Sequence, residues 1–144
     1  MPMKQLINPD QIPIIAVDFM NETHFEDIRI INELYNRVIS YLENEMQDAT
    51  DIDEQYALWY EHTVQHFKRE EEAMLAIGFP PYPKHKAAHD EKLAIMKQVQ
   101  TDWMKNRNIE ALKHYLEEDL VNWIINHIQT MDRITAIVLD QVNN

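Results

Sequence analysis

Seven side chains able to bind a metal recur along this chain at helical spacing: His24, the pair His66 and Glu70, the pair His85 and His89, and the pair His127 and Asp132. Neutral imidazole and carboxylate together suit iron, zinc or manganese. Seven such groups are too many for one ion and about right for two. Residues at i and i+4 of a helix stand about 40° apart around the axis and about 6 Å apart along it, so His66/Glu70 and His85/His89 can each converge on one site. The pair His127/Asp132 is five residues apart, which rotates the side chain by roughly 140° on an ideal helix. If both serve one centre, the chain needs a π-bulge or comparable distortion between them, a feature that clusters at functional sites.

The elements that must position these groups follow from one glycine in 144 residues and from the apolar periodicity, both of which point to helices with almost no tight turns. The first helix is predicted from about Asp18 to Asn44, on the stripe His24, Ile28, Ile31, Tyr35, Val38 and Leu42. The second opens near Thr50 or Asp51 as N-cap and runs on Ile52, Tyr56, Trp59, Thr63, His66, Glu70, Ala73 and Ile77. Gly78 supplies the left-handed residue that ends it, and Pro80, Pro81 and Pro83 forbid continuation. The third helix spans about Pro83 to Lys105, on His85, His89, Leu93, Met96, Val99 and Trp103. Asn106 or Asn108 caps the last, whose stripe is Leu112, Leu116, Leu120, Trp123, His127, Met131, Ile134 and Val138.

Short connections between long amphipathic helices predict an all-α, antiparallel up-down-up-down four-helix bundle over residues 18–144, with residues 1–17 as an irregular N-terminal arm. In that bundle the start of each helix lies beside the end of its neighbour. All seven groups then gather near one end, and six of the seven lie on inward stripes.

Composition narrows the function. There are 25 acidic residues against 13 basic ones, and the net charge of −12 repels phosphate backbones and anionic lipid. Nucleic-acid binding and membrane insertion are therefore not expected. The absence of cysteine excludes disulfides and thiolate metal or Fe–S sites. The N-terminal segment has only a short apolar run broken by Pro13, a poor signal peptide, so a cytoplasmic protein is the expectation.

Taken together, His24, His66-Phe67-x-x-Glu70-Glu71, His85-x-x-x-His89 and Trp123-x-x-x-His127-Ile128-x-x-x-Asp132 resemble the hemerythrin family, in particular its small bacterial members. Asn32-Glu33-Leu34 and Met74 join the match, which covers roughly residues 18–140. The resemblance implies a non-haem centre of two Fe ions with a bridging oxo or hydroxo group. His85, His89 and His127 would hold one iron, His24 and His66 the other, and Glu70 and Asp132 would bridge. Five imidazoles, two bridging carboxylates and the oxygen bridge leave one of twelve octahedral positions open, on the iron with two histidines. That position implies reversible O2 binding, for storage, delivery or sensing, with O2 or another small diatomic or anion as partner. Ile125 matches a place where the family often carries an apolar pocket residue. Lys92 stands where phenylalanine is frequent, and Arg133 follows Asp132 where lysine is common.

Each residue has a plainer reading. A lone histidine on an apolar stripe is usually a hydrogen-bonded core residue. Five in register with two otherwise costly buried carboxylates are better explained by cations. His62, one turn before His66, is either a sixth ligand or a residue outside the metal shell; His114 reads as surface, and Glu71 and Glu72 as solvated face or, for one of them, as a support behind a ligand. A di-iron enzyme reducing peroxide or nitric oxide is the alternative function, and a metal-free interaction bundle a third. No histidine has glutamate three residues before it, as ferritin-like Glu-x-x-His pairs require, and no HExxH motif occurs.

Overall fold

In a computed structural model, residues 5–43 and 48–143 are described. The first helix is Asp18–Leu42, the second Ala49–Ala76 and the third Tyr82–Asn106. The fourth, residues 109–143, continues unbroken through changes of pitch. The helices form the antiparallel four-helix bundle that the periodicity predicts. Asn44, the predicted end of the first helix, lies outside the described residues. No described helix is long and apolar enough to cross a membrane.

The helix ends show why the chain turns where it does. Asp48, rather than Thr50 or Asp51, caps the second helix, accepting the Thr50 N–H at 3.0 Å. A carboxylate one turn earlier meets the free amides and the positive end of the helix dipole together. At the far end Gly78 has φ +64°, its N–H reaches the Leu75 carbonyl, and the Phe79 N–H reaches back to Met74. This is a Schellman closure, with buried Phe79 and Met74 as its apolar clasp. Asn108 caps the fourth helix, accepting the Ala111 N–H at 3.1 Å. Arg107, just before it, is left-handed at φ 50°, and its guanidinium holds Asp53 of the second helix at 2.6 and 3.0 Å.

The core runs the length of the bundle on Ile28, Leu34, Val38, Ile52, Tyr56, Trp59, Met96, Leu116 and Leu120. Burying each such side chain contributes roughly 1.5–3 kcal/mol. Residues of the expected N-terminal arm are packed down: Ile7, Ile12 and Ile15 are buried. Two asparagines hold this segment by acting as surrogate backbone. Asn32 accepts the Leu6 and Ile7 N–H groups and donates to the Ile7 carbonyl, all at 2.9 Å. Asn21 does the same for both polar groups of Ile15, at 2.9 and 2.8 Å.

The fourth helix departs most from the periodic reading. It is π-helical over Tyr115–Leu120 and again over Ile128–Asp132. The second turn is the distortion the His127/Asp132 spacing calls for. Its extra residue rotates everything beyond it, so Asp132, Thr135, Ala136 and Leu139 face inward. The predicted stripe Met131, Ile134 and Val138 is displaced, and Ile134 is 55% exposed. The first π-turn has no precursor in the apolar pattern; it buries Tyr115 beside Leu116.

Candidate metal centre

All seven predicted groups are buried and meet at one end of the bundle. Glu70, His85, His89, His127 and Asp132 form one cluster whose ligand atoms lie within 4.8 Å of one another, and His24, His66 and Glu70 form a second. The Nε2 atom of His127 stands 3.2 Å from that of His85 and 3.3 Å from that of His89. Two cis ligands each about 2.1 Å from one ion stand roughly 3.0 Å apart, so the three rings converge as ligands do.

The two carboxylates divide their oxygens between the clusters. Asp132 Oδ1 lies 3.0 Å from His85 Nε2 and 3.1 Å from His127 Nε2, while Oδ2 lies 3.1 Å from His24 Nε2. Glu70 Oε1 faces His89 Nε2 at 3.4 Å, and Oε2 faces His66 Nε2 at 2.7 Å. Each acid side chain therefore reaches both groups of imidazoles, one oxygen to each.

Residues behind the rings fix which nitrogen faces inward. Glu71 accepts from His89 Nδ1 at 2.9 Å, and Asp27 accepts from His66 Nδ1 at 2.5 Å. Thr135 donates its hydroxyl to the Met131 carbonyl, so it accepts from His85 Nδ1 at 2.9 Å. A carboxylate can only accept, so these rings carry their proton outward and present an Nε2 lone pair to the centre when neutral. Three facing lone pairs and two buried acids form a basin for cations. Glu70 Oε1 and His24 Nδ1 are the buried polar side-chain atoms with no hydrogen-bond partner among the described residues. An acid oxygen left without a donor fits a metal contact.

Electrostatics agree with that donor set. Burial opposes ionisation of Asp132, but the facing His127, His24 and His85 rings hold it well below the usual carboxylate range. Burial and the Asp132 charge both push Glu70 upward, and the facing His66 and His89 rings outweigh them and lower it. His66 is disfavoured as a cation by burial, yet Glu70 and Asp27 raise it well above the ordinary histidine value. The site keeps its acids ionised and draws positive charge toward them.

Aromatic rings complete the walls. Phe67 stacks on His89 with centroids 3.9 Å apart, and Trp123 stacks on His127 at 4.4 Å. A cavity of about 40 Å³ opens beside His24, His66 and Asp132, lined by Ile28, Trp59, Phe67, Trp123, Ile124 and Ile128 among others. Ile125 is not part of that lining; it lies half-buried against the core, and its neighbour Ile124 occupies the wall. His62 falls outside both clusters and bonds Asp27 through Nδ1, and His114 is exposed. Of Glu71 and Glu72, read as solvated face or as a support behind a ligand, Glu71 is the partner of His89. Asp27 escapes the ligand pattern altogether; its place three residues after His24, on the same helical face, is the one signal that marks it.

Across residues 16–136 the chain matches the family model described as the hemerythrin HHE cation binding domain. This chain belongs to the hemerythrin family. It is 32% identical over 131 residues to a bacteriohemerythrin of Aquifex aeolicus, covering 91% of this chain and 95% of that protein. A bacteriohemerythrin of Ralstonia nicotianae is 33% identical over 103 residues, covering 68% and 72% of the two chains. Among solved structures, a crystal structure of a leucine-to-phenylalanine mutant superposes with TM-score 0.71 at 22% identity, covering 87% of this chain and 89% of its own. That likeness speaks to the fold. The hemerythrin assignment agrees with the donor set, which fits cations without any cysteine.

Proposed function

We propose that this protein binds O2 reversibly at a non-haem di-iron centre. His85, His89 and His127 hold one iron, His24 and His66 the other, and Glu70 and Asp132 bridge them. The function belongs to the bundle of residues 18–144, acting in the cytoplasm. The observation that carries the reading is the division of Glu70 and Asp132 oxygens between a three-histidine and a two-histidine cluster. A second feature supports it: the cavity is lined by His24 and His66 and by none of the three histidines of the other cluster.

An iron pair with an oxo or hydroxo bridge supplies, when bound, the electrons and the open position for O2. The chain's own residues do the rest. Asp27, Glu71 and Thr135 orient the imidazoles, and the two bridging acids offset the charge of the cations. Ile28, Trp59, Phe67, Trp123, Ile124 and Ile128 make a largely apolar, water-poor wall beside the two-histidine side.

Iron quantified per chain, followed by anaerobic reduction and exposure to O2, tests the proposal. The expected result is two irons per chain and a visible band that appears with O2 and is lost on its removal. Rapid irreversible oxidation with turnover of peroxide or nitric oxide would replace carriage with catalysis. One iron or none would sink the di-iron centre itself.

A further inference from the structure

Two lysines of the third helix approach the centre, and they meet different partners. Lys92, buried beside the cavity, donates to the Tyr115 hydroxyl of the fourth helix at 2.9 Å, a neutral group. Lys86, 40% exposed, reaches the Glu71 carboxylate at 3.4 Å and the two oxygens of Asp90 at 3.0 and 3.2 Å. Glu71 is the acid behind His89. Its Oε2 accepts from His89 Nδ1 at 2.9 Å, while Oε1 is the oxygen that faces the Lys86 ammonium. His89 itself is fully buried, with Phe67 stacked on its face. A continuous line therefore runs from solvent through Lys86 and Glu71 to the imidazole whose Nε2 points at the three-histidine cluster. Asp27 and Thr135, the supports behind His66 and His85, have no lysine or arginine bonded to them among the described residues.

We propose that Lys86 is a positioning residue that tunes the reduction potential of the three-histidine iron, acting through Glu71 on His89. The proposal deepens the di-iron reading and rests on it for the metal. A carboxylate that accepts the outer N–H of a ligating imidazole makes the ring more basic. Greater electron density at Nε2 favours the more highly charged, oxidised metal. An ammonium on the far oxygen draws charge off that carboxylate and weakens its pull on the His89 proton. Lys86 thereby tilts the iron toward its reduced state, the one with an electron to lend to O2. Asp90 holds the same ammonium more closely than Glu71 does, which limits the effect. Water screens a pair this exposed, so the result is a tuning and not a switch.

Spectroelectrochemical titration of the iron-loaded protein tests this in Lys86→Gln and Asp90→Asn, with iron content and melting temperature as checks on loading and fold. Lys86→Gln is expected to raise the oxidised-to-reduced ratio at a fixed potential by about two- to fivefold, the worth of an exposed ion pair. Asp90→Asn leaves the ammonium to Glu71 alone and should lower the ratio. A surface charge could also act straight across space, whatever Glu71 does. The Glu71→Gln background separates the two, since glutamine still accepts from His89 but has no charge for Lys86 to offset. Adding Lys86→Gln there should change almost nothing. An unchanged ratio in Lys86→Gln, or a shift of the same size in the Glu71→Gln background, overturns the proposal. Failure of the di-iron reading appears separately, as wild-type protein that takes up no iron. In that event the His89 Nδ1 proton resonance of the metal-free protein decides. A downfield move in Lys86→Gln, as the bond to Glu71 strengthens, upholds the action of Lys86 on His89, and an unmoved resonance overturns it.

Discussion

Asp27 joins the outer nitrogens of His62 and His66, which puts one carboxylate in charge of a ring that faces the candidate ligand cavity. Asparagine at this position can accept from only one of the two rings with its single carbonyl oxygen. Asp27→Asn is therefore expected to weaken iron retention by about 10–100-fold, the usual effect of losing such a support, measured as iron released to a chelator. His62→Ala leaves Asp27 free to hold His66, and its iron content should match wild type. Lys92 carries a pH prediction. Its folded value of about 8 lies below the unfolded value near 10.4, so between those limits the unfolded chain binds more protons and stability rises with pH. Tyr35, pushed up to about 12 by burial and Glu117, acts in the opposite sense above about pH 10. Lys92 contributes at about pH 8–10, where His66, raised well above the ordinary histidine value, acts in the opposite sense. Denaturant unfolding of the metal-free protein should therefore show wild type gaining on Lys92→Met across that window by on the order of 1–3 kcal/mol. These roles were hard to read beforehand. Lys92, Asp27, Glu71 and Thr135 act through partners on other helices, and such pairings leave no period in a sequence.

Individual helices owe their limits to caps and their facing to register. Gly78 sits at φ +64°, and a methyl group added to it would meet nothing within 4 Å, so Gly78→Ala encounters backbone strain and no clash. The expected cost is about 1 kcal/mol, a fall in melting temperature of roughly 2–4 °C. The π-turn at Ile128–Asp132 makes a sharper claim. Inserting one alanine after exposed Gln129 rotates every later residue by about 100°, carrying Asp132, Thr135 and Leu139 off the inner face. Iron content and melting temperature should both collapse. Deleting Gln129 instead leaves Asp132 four residues after His127, an ordinary helical neighbour, and should be tolerated far better. If the two variants behave alike, register at this turn is not what aims Asp132. The His127/Asp132 spacing announced that turn in advance, because ligands five residues apart fit no straight helix. The π-turn at Tyr115–Leu120 gave no such warning, since its inward tyrosine answers a lysine on another helix.

For the molecule as a whole, the metal centre is a tie between all four helices, since His24, His66, His85 and His127 come one from each. A cation that binds the folded chain alone stabilises it by mass action, by about 4 kcal/mol at a thousandfold excess over its dissociation constant. Chelating iron should therefore lower the melting temperature by on the order of 10 °C, measured calorimetrically with and without metal. The amino-acid order alone determined the number of helices, their stop at Gly78, the end of the bundle where the ligands collect and the family they signal, because periodicity and capping are local properties of a chain. Only the tertiary structure decided which oxygen of each acid faces which imidazoles, that Ile124 rather than Ile125 lines the cavity, and that Lys92 is buried there. Those outcomes depend on how separate helices rotate and close against one another, and packing fixes that rotation only when all four are in place.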